Sequence, residues 1–147
     1  MQVINYKSKV FKGSLRQLLL SDLNELWQLD MRCFVDGEAY ERETFRYLLS
    51  NPDAIARQIR TEYDEMSAFA IGVIEQDGVG HITTVGVAPE YRRRKLASNL
   101  IEMALAEARR RYIRVVALHS TEEGRRLYEA NGFRSTNEMF YVEPIEP

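Results

Sequence analysis

The sequence predicts an α/β fold: a mixed, mostly antiparallel central sheet with one right-handed βαβ crossover and about four helices. Three observations predict it. Apolar alternation in the middle of the chain reads as three successive strands, a long helical stripe follows, and a compact apolar run comes after it. Strands joined by short turns pair antiparallel, whereas a strand that returns after a crossover helix pairs parallel. The 147 residues, 45% of them hydrophobic, are enough for one globular domain with a substantial core. No repeat, low-complexity segment or Pro/Gly/Ser-rich linker divides them, so 1–147 is expected to be a single domain.

Taken in order, the first dozen residues, with Val3, Ile4, Tyr6, Val10 and Phe11 among lysines, read either as an extra edge strand or as a docked arm. Leu15 to Leu20 reads as a short strand. Ser21 is the expected cap of a helix carrying Leu23, Leu26, Trp27, Leu29 and Met31, which should end near Cys33 or Phe34. After a loop from Val35 to Glu41, a second helix spans Arg42 to Leu49 and stops before Asn51-Pro52.

Ala54 to Thr61, Ser67 to Glu75 and Val79 to Val87 form a meander, the last two strands being joined by a Gln76-Asp77-Gly78 turn. From Arg94 to Arg111 the period is helical, with Leu96, Leu100, Ile101, Ala104, Leu105 and Ala108 in one stripe. Arg109, Arg110 and Arg111 complement the carbonyl end of that helix. Val115 to Leu118 is the returning strand, apolar throughout because both of its faces are covered. Ser120 and Glu123 make a capping box for a fourth helix that reaches the Asn131-Gly132 stop, and Phe133 to Val142 supplies one or two more strands.

A formal net charge of -2 and a pI near 5.8 argue against broad contact with nucleic acid, so the basic run Arg92 to Lys95 reads as a local site. One cysteine excludes an internal disulfide and a cysteine-based metal cluster. With no long apolar run, the expectation is a soluble cytoplasmic protein with no membrane partner. The sequence leaves a homodimer open.

Val85 to Ser98 is the segment richest in chemistry. A strand ending at Val87 and a helix opening near Arg94 leave the intervening N–H groups unpaired, and the helix dipole and up to four cations favour an anion there, the expected ligand being a pyrophosphate.

The order of elements, the Arg-x-x-Lys-x-Ala run at Arg92 to Ala97 and the stretch RRLYEANGF at Arg125 to Phe133 together resemble the GNAT superfamily of N-acetyltransferases. The resemblance spans about Leu15 to Tyr141. It implies acetyl-coenzyme A as acyl donor, no metal, and direct transfer in a ternary complex to a primary amine of a small molecule or peptide. It also implies that Arg92, Arg93, Arg94, Lys95, Leu96, Ala97 and Ser98 form the pyrophosphate loop, and that Val85, Gly86 and Val87 pair through their backbone with the pantetheine arm. Thr121 is a further coenzyme position. The family's loop pattern is Gln/Arg-x-x-Gly-x-Gly/Ala, which Arg92 and Ala97 match. Lys95 stands at the first glycine, where a side chain is acceptable if φ is negative. The strand ending at Val87 is expected to splay from its neighbour, with a bulge that Gly86 would tolerate.

Tyr128 falls on the family's Leu-Tyr-Glu-x-x-Gly-Phe tyrosine, which protonates the departing thiolate. A phenol of reference pKa about 10 holds its proton at neutral pH, and a thiolate of about 8.5 takes one as it leaves. From the residues alone, a tyrosine beside Leu127 reads as a packed one with its hydroxyl satisfied, and it is the motif that favours the chemical role. His81 aligns with the glutamate base of histone-type members, and an imidazole serves that role at neutral pH; it also reads as a surface histidine beside a glycine turn. His119, at the end of the returning strand, is a substrate-side polar group, and Glu38, Tyr40, Glu41 and Glu138 are candidates to attract a cationic amine. Arg32-Cys33-Phe34 with Tyr40, Arg42 and Phe45 resembles the ribosomal-protein alanine N-acetyltransferases, yet their glutamate base aligns with Val116 and their asparagine with Thr121. Cys33 is not needed as a nucleophile. The competing expectation is a domain that binds coenzyme A or an acyl derivative as a sensor, without turnover.

Overall fold

In the computed structural model, which describes residues 4–7, 11–34, 37, 39–118, 122–135 and 139–144, eight strands make one sheet. In chain order they are β1 (Ile4–Lys7), β2 (Lys12–Gln17), β3 (Ile55–Thr61), β4 (Met66–Ile74), β5 (Gly80–Val87), β6 (Val115–Leu118), β7 (Arg134–Ser135) and β8 (Met139–Val142). Helices α1 (Leu23–Cys33) and α2 (Arg42–Ser50) separate β2 from β3, α3 (Leu96–Arg110) separates β5 from β6, and α4 (Glu122–Ala130) follows β6. The spatial order is β1-β2-β3-β4-β5-β6-β8-β7, and only the β5–β6 pair, joined through α3, is parallel. This is the mixed sheet with one crossover that the sequence predicts.

The amino-terminal segment is an edge strand, with Ile4 opposite Leu15. The next strand begins and ends earlier than the expected Leu15 to Leu20. Leu18 is buried and donates its N–H to the Ala56 carbonyl at 2.9 Å, and a 3₁₀ turn then forms over Leu20–Asp22. The Asp22 carboxylate accepts the Leu19 N–H at 2.9 Å. Asp22, not Ser21, occupies the N-cap of α1. Three consecutive leucines mimic a strand in sequence, but the aspartate after them bends the chain into the helix.

Successive residues of β4 separate two cores, as strand geometry requires. Phe69 and Ile71 pack with Leu23, Leu26 and Leu29 of α1 and with Phe45 and Leu48 of α2. Ala68 and Ala70 face the other way, toward Leu96 and Leu100 of α3. A third cluster joins the rest of α3 (Ile101, Leu105, Ala108) to Ile82, Val116, Leu118 and Phe133. Helices α1 and α2 thus cover one face of the sheet and α3 covers the other. Gly78, at φ +83°, closes the β4–β5 turn by donating its N–H to Glu75 at 3.0 Å. Among the described residues no helix is long and apolar enough to cross a membrane.

Candidate active site

The site begins where the sheet opens. Strands β5 and β6 are paired at Gly80 with Val116, His81 with Ala117 and Ile82 with Leu118, the last pair among the described residues, while β5 continues to Val87. Just past that point Ile71 lies opposite Thr84 but Gly72 lies opposite Ile82, so Thr83 is an extra residue that bulges β5. Ala88 donates its N–H to Ser67 of β4 at 2.8 Å, which by ladder alternation turns the backbone groups of Val87 and Val85 toward the opposite edge. The Val87 carbonyl accepts there from Cys33 Sγ and from Arg92 Nε, each at 3.3 Å.

The bulge is therefore at Thr83 and not at Gly86. Gly86 answers to a packing demand: a Cβ there would lie 2.5 Å from Phe69 Cζ and 3.2 Å from Cys33 Sγ. Glycine lets α1 and the buried Phe69 close against β5.

Beyond Ala88 the chain makes a 3₁₀ turn over Pro89–Tyr91 and enters a loop whose backbone handedness alternates. Arg93 has φ +64° and Lys95 φ +62°. The condition of a negative φ is not met at Lys95: the lysine holds the left-handed conformation that a glycine takes freely, at a cost of about 1–2 kcal/mol. Lys95 is the N-cap of α3, which opens at Leu96 and not near Arg94, because the left-handed residue interrupts the helical path. Alternating hand turns successive N–H groups to one side, the geometry of an anion nest. The first turn of α3 carries no acidic residue to compete for it. Leu96, 1% exposed, pins the turn to the core, with Ala97 and Ser98 half-buried behind it. Arg94 lies over the Tyr91 ring, 5.7 Å from its centroid, while Arg93 and Lys95 are exposed.

Tyr128, on α4, packs edge-on against Phe133 at 5.8 Å and joins the cluster holding Ile82 and Leu118, the last pair before the opening. Burial pushes its phenol pKa up, so its proton is held more firmly than usual. No described residue hydrogen-bonds the hydroxyl. Gly80 and Ile82 face this same cluster, so His81, between them, points to the other side of the sheet, where its partner Val73 packs with α1 and α2. The two residues expected to move protons thus lie on opposite faces at the base of the opening.

On the His81 side, Tyr40 donates its hydroxyl to the carbonyl of bulged Thr83 at 3.3 Å and stacks edge-on against Phe45 at 5.6 Å. Its backbone N–H is held by Asp30 Oδ2 at 2.8 Å. Asp30 is fully buried, and burial pushes its pKa up to about 6 against the opposing pull of that N–H. The same burial, and secondarily the charge of Asp30, raises the Tyr40 phenol. Burial likewise raises the thiol of Cys33, opposed by nearby Arg92. Arg32, also near the end of α1, pairs with Glu90, tying the helix to the loop.

Sequence reasoning missed Asp30, although an acid on the same helical face as Leu26 and Leu29 was visible in the spacing. Glu38, His119, Thr121 and Glu138, with the Ser120 cap, lie outside the described residues. Glu41 is exposed, at the N-cap of α2.

A sequence model of the acetyltransferase (GNAT) domain matches residues 31–146. The chain belongs to the GNAT acetyltransferase family. This GNAT domain is accordingly an N-acetyltransferase that takes its acetyl group from acetyl-coenzyme A. No curated protein matches it by sequence. Among solved structures, the GNAT chain is similar to the ribosomal-protein-S18-alanine N-acetyltransferase of Escherichia coli, at 19% identity and a TM-score of 0.78 over 92% of this chain and 96% of that one. It is similar to the PaiA N-acetyltransferase of Thermoplasma acidophilum in complex with coenzyme A, at 17% identity and 0.76 over 87% and 97%. It is also similar to NAA60 of Arabidopsis thaliana in complex with acetyl-CoA, at 20% identity and 0.73 over 87% and 96%. At these identities the likeness concerns the fold.

Proposed function

We propose that this chain, as one GNAT domain over 1–147, acetylates a primary amine of a small molecule or peptide by direct attack within a ternary complex. The observation that carries the reading is the continuous backbone track from the β5 edge, Thr83 to Val87, which no described strand pairs on its β6 side, into the left-handed turn at Arg93 and Lys95 and the first turn of α3. Such a track fits an extended arm followed by a diphosphate. The similar structures in complex with coenzyme A or acetyl-CoA have the same fold, which supports that placement.

In this reading Val85 and Val87 pair through backbone groups with the pantetheine arm, Gly86 keeping α1 tight behind them. The N–H groups from Arg93 to Ser98 and the cations of Arg93 and Lys95 hold the diphosphate, and Thr121 adds a contact. Acetyl-coenzyme A supplies an activated acyl group and a thiolate leaving group. Tyr128 holds a proton at its hydroxyl, buried enough to keep it at neutral pH and free to deliver it. His81 accepts the proton of the incoming ammonium, and Tyr40, Glu38 and His119 orient the acceptor. Opposite placement of His81 and Tyr128 separates proton removal from proton delivery, as an attack passing through the sheet opening demands.

Calorimetric titration with acetyl-coenzyme A, followed by thiol release on an amine panel, tests this. The expected result is saturable binding in the micromolar range, on the order of -8 kcal/mol, weakened several-fold by Arg93→Ala or Lys95→Ala. Absence of saturable binding overturns the site. Binding without thiol release for any amine leaves a carrier or sensor domain.

A further inference from the structure

A second concavity lies at the opposite end of α3. It has a volume of about 300 Å³ and is walled by Leu15 and Gln17 of β2, Arg57 of β3, and Met103, Glu107 and Arg110 of α3. From Leu96 to Glu107 the helix rises about 16 Å, so this cavity is well separated from the loop that opens α3.

Its charges do not balance. Arg110 and Arg111 both bond Glu107, each through Nε at 3.0 Å, and the Arg110 contact above all holds that carboxyl down to about 2. Arg111 also donates to the Asp53 carbonyl at 3.2 Å. These two cations are accounted for by Glu107 and by the carbonyl end of the helix. Arg57 is not. It is half-buried, its Nη1 donates to the carbonyl of its own neighbour Ala56 at 3.0 Å, and among the described residues it has no ion pair. Burial lowers its pKa; Glu107 works against that, and the positive charges of Arg111 and Arg110 reinforce it. Arg16 also lines the cavity, but its guanidinium bonds Ser14 at 2.9 Å and Asp64 at 3.5 Å. Arg57 is thus left without a counter-ion of its own beside this carboxylate, and among the described residues its guanidinium makes one hydrogen bond, to the Ala56 carbonyl.

We propose that this cavity is an anion site, separate from the acetyl-transfer centre, for a small molecule bearing a carboxylate or phosphoryl group. Its oxyanion bridges Arg57 and Arg110, the Gln17 amide offers a further donor, and a short apolar body lies against Leu15 and Met103. A planar guanidinium matches two oxygens of one oxyanion, which an ammonium would not do. The inference does not rest on the transferase reading, because none of these residues belongs to the cleft.

Thermal unfolding of the whole chain tests it, with sodium phosphate and sodium butyrate as probes against sodium chloride at matched ionic strength. The comparison uses Arg57→Gln and, to silence the α3 loop, the double variant Arg93→Ala/Lys95→Ala. With ligand at ten times its Kd the midpoint should rise by about 3 °C, in the wild type and the loop variant but not in Arg57→Gln. A response to phosphate alone marks a phosphoryl site, and a response to both probes a site that also takes carboxylates. Three results overturn the proposal: no rise over chloride, a rise kept by Arg57→Gln, or a rise lost only in the loop variant. Acetyl-coenzyme A binding, measured on the same Arg57→Gln protein and expected unchanged, shows that the variant is folded.

Discussion

The Tyr40 N–H donates to one oxygen of Asp30 at 2.8 Å, and the other oxygen of that fully buried carboxylate has no hydrogen-bond partner among the described residues. An ionised group so placed costs stability. The folded-state pKa of Asp30, about 6 against an ordinary 3.8, means that the native protein holds the proton more tightly than the unfolded chain does. Stability from this group is complete below about pH 4 and declines as pH rises through 6. Asp30→Asn keeps an acceptor for Tyr40 and removes the charge. Above pH 6 it should be more stable than wild type by on the order of 2 kcal/mol, the advantage fading by pH 4. Urea denaturation at a series of pH values measures this; curves that stay parallel from pH 4 to 8 would refute it.

Lys95→Gly separates backbone cost from charge. Glycine relieves the left-handed strain at φ +62°, so the protein without ligand should unfold at a higher denaturant concentration, by roughly 0.5–1 kcal/mol. Acetyl-coenzyme A affinity should fall several-fold in low salt and approach the wild-type value in high salt, because the lost interaction is an exposed charge. Equal affinities at low salt would show that the lysine ammonium takes no part.

Tyr128→Phe should leave stability within about 0.5 kcal/mol, since no described residue bonds the hydroxyl and the Phe133 contact survives. Turnover should drop by about 10²- to 10⁴-fold with coenzyme affinity retained. Steady-state kinetics beside a binding titration decide it, and an unchanged kcat removes Tyr128 from the chemistry.

Gly86→Ala places a methyl group 2.5 Å from Phe69 Cζ and should destabilise by about 1–3 kcal/mol. Phe69→Leu in the same chain should recover part of that loss, as contacting residues couple. A double variant no better than the sum of the two singles would assign the cost to the backbone.

The crossover and the antiparallel meander were legible because periodicity and turn residues are local signals. Val115 to Leu118 announced a strand buried on both faces, and Asp77-Gly78 announced its hairpin. The end of β2 was not legible, because Leu18-Leu19-Leu20 looks the same in an extended strand as in a turn that buries one leucine. Lys95 shows the limit at the site: the sequence places a cation in the loop, but only tertiary context forces a lysine to positive φ. The Asp30–Tyr40–Thr83 chain of contacts joins residues far apart in sequence, and His81 reached the face opposite Tyr128 through strand parity, which no motif encodes.

The stretch of β5 beyond Ile82, which no described strand pairs on its β6 side, has a consequence for solubility. An unpaired strand edge invites other chains to add to the sheet, and proteins ordinarily shield such edges with charge, proline or a covering element. Here the edge from Thr83 to Val87, unpaired by any described strand on its β6 side, is internal, with β4 along one side and the β6–β8–β7 half of the sheet beginning at the other. An edge flanked on both sides by its own sheet is closed to the lateral addition of a foreign strand, as an outer edge is not. The fold thus keeps an adhesive edge available to a slender ligand and withholds it from aggregation.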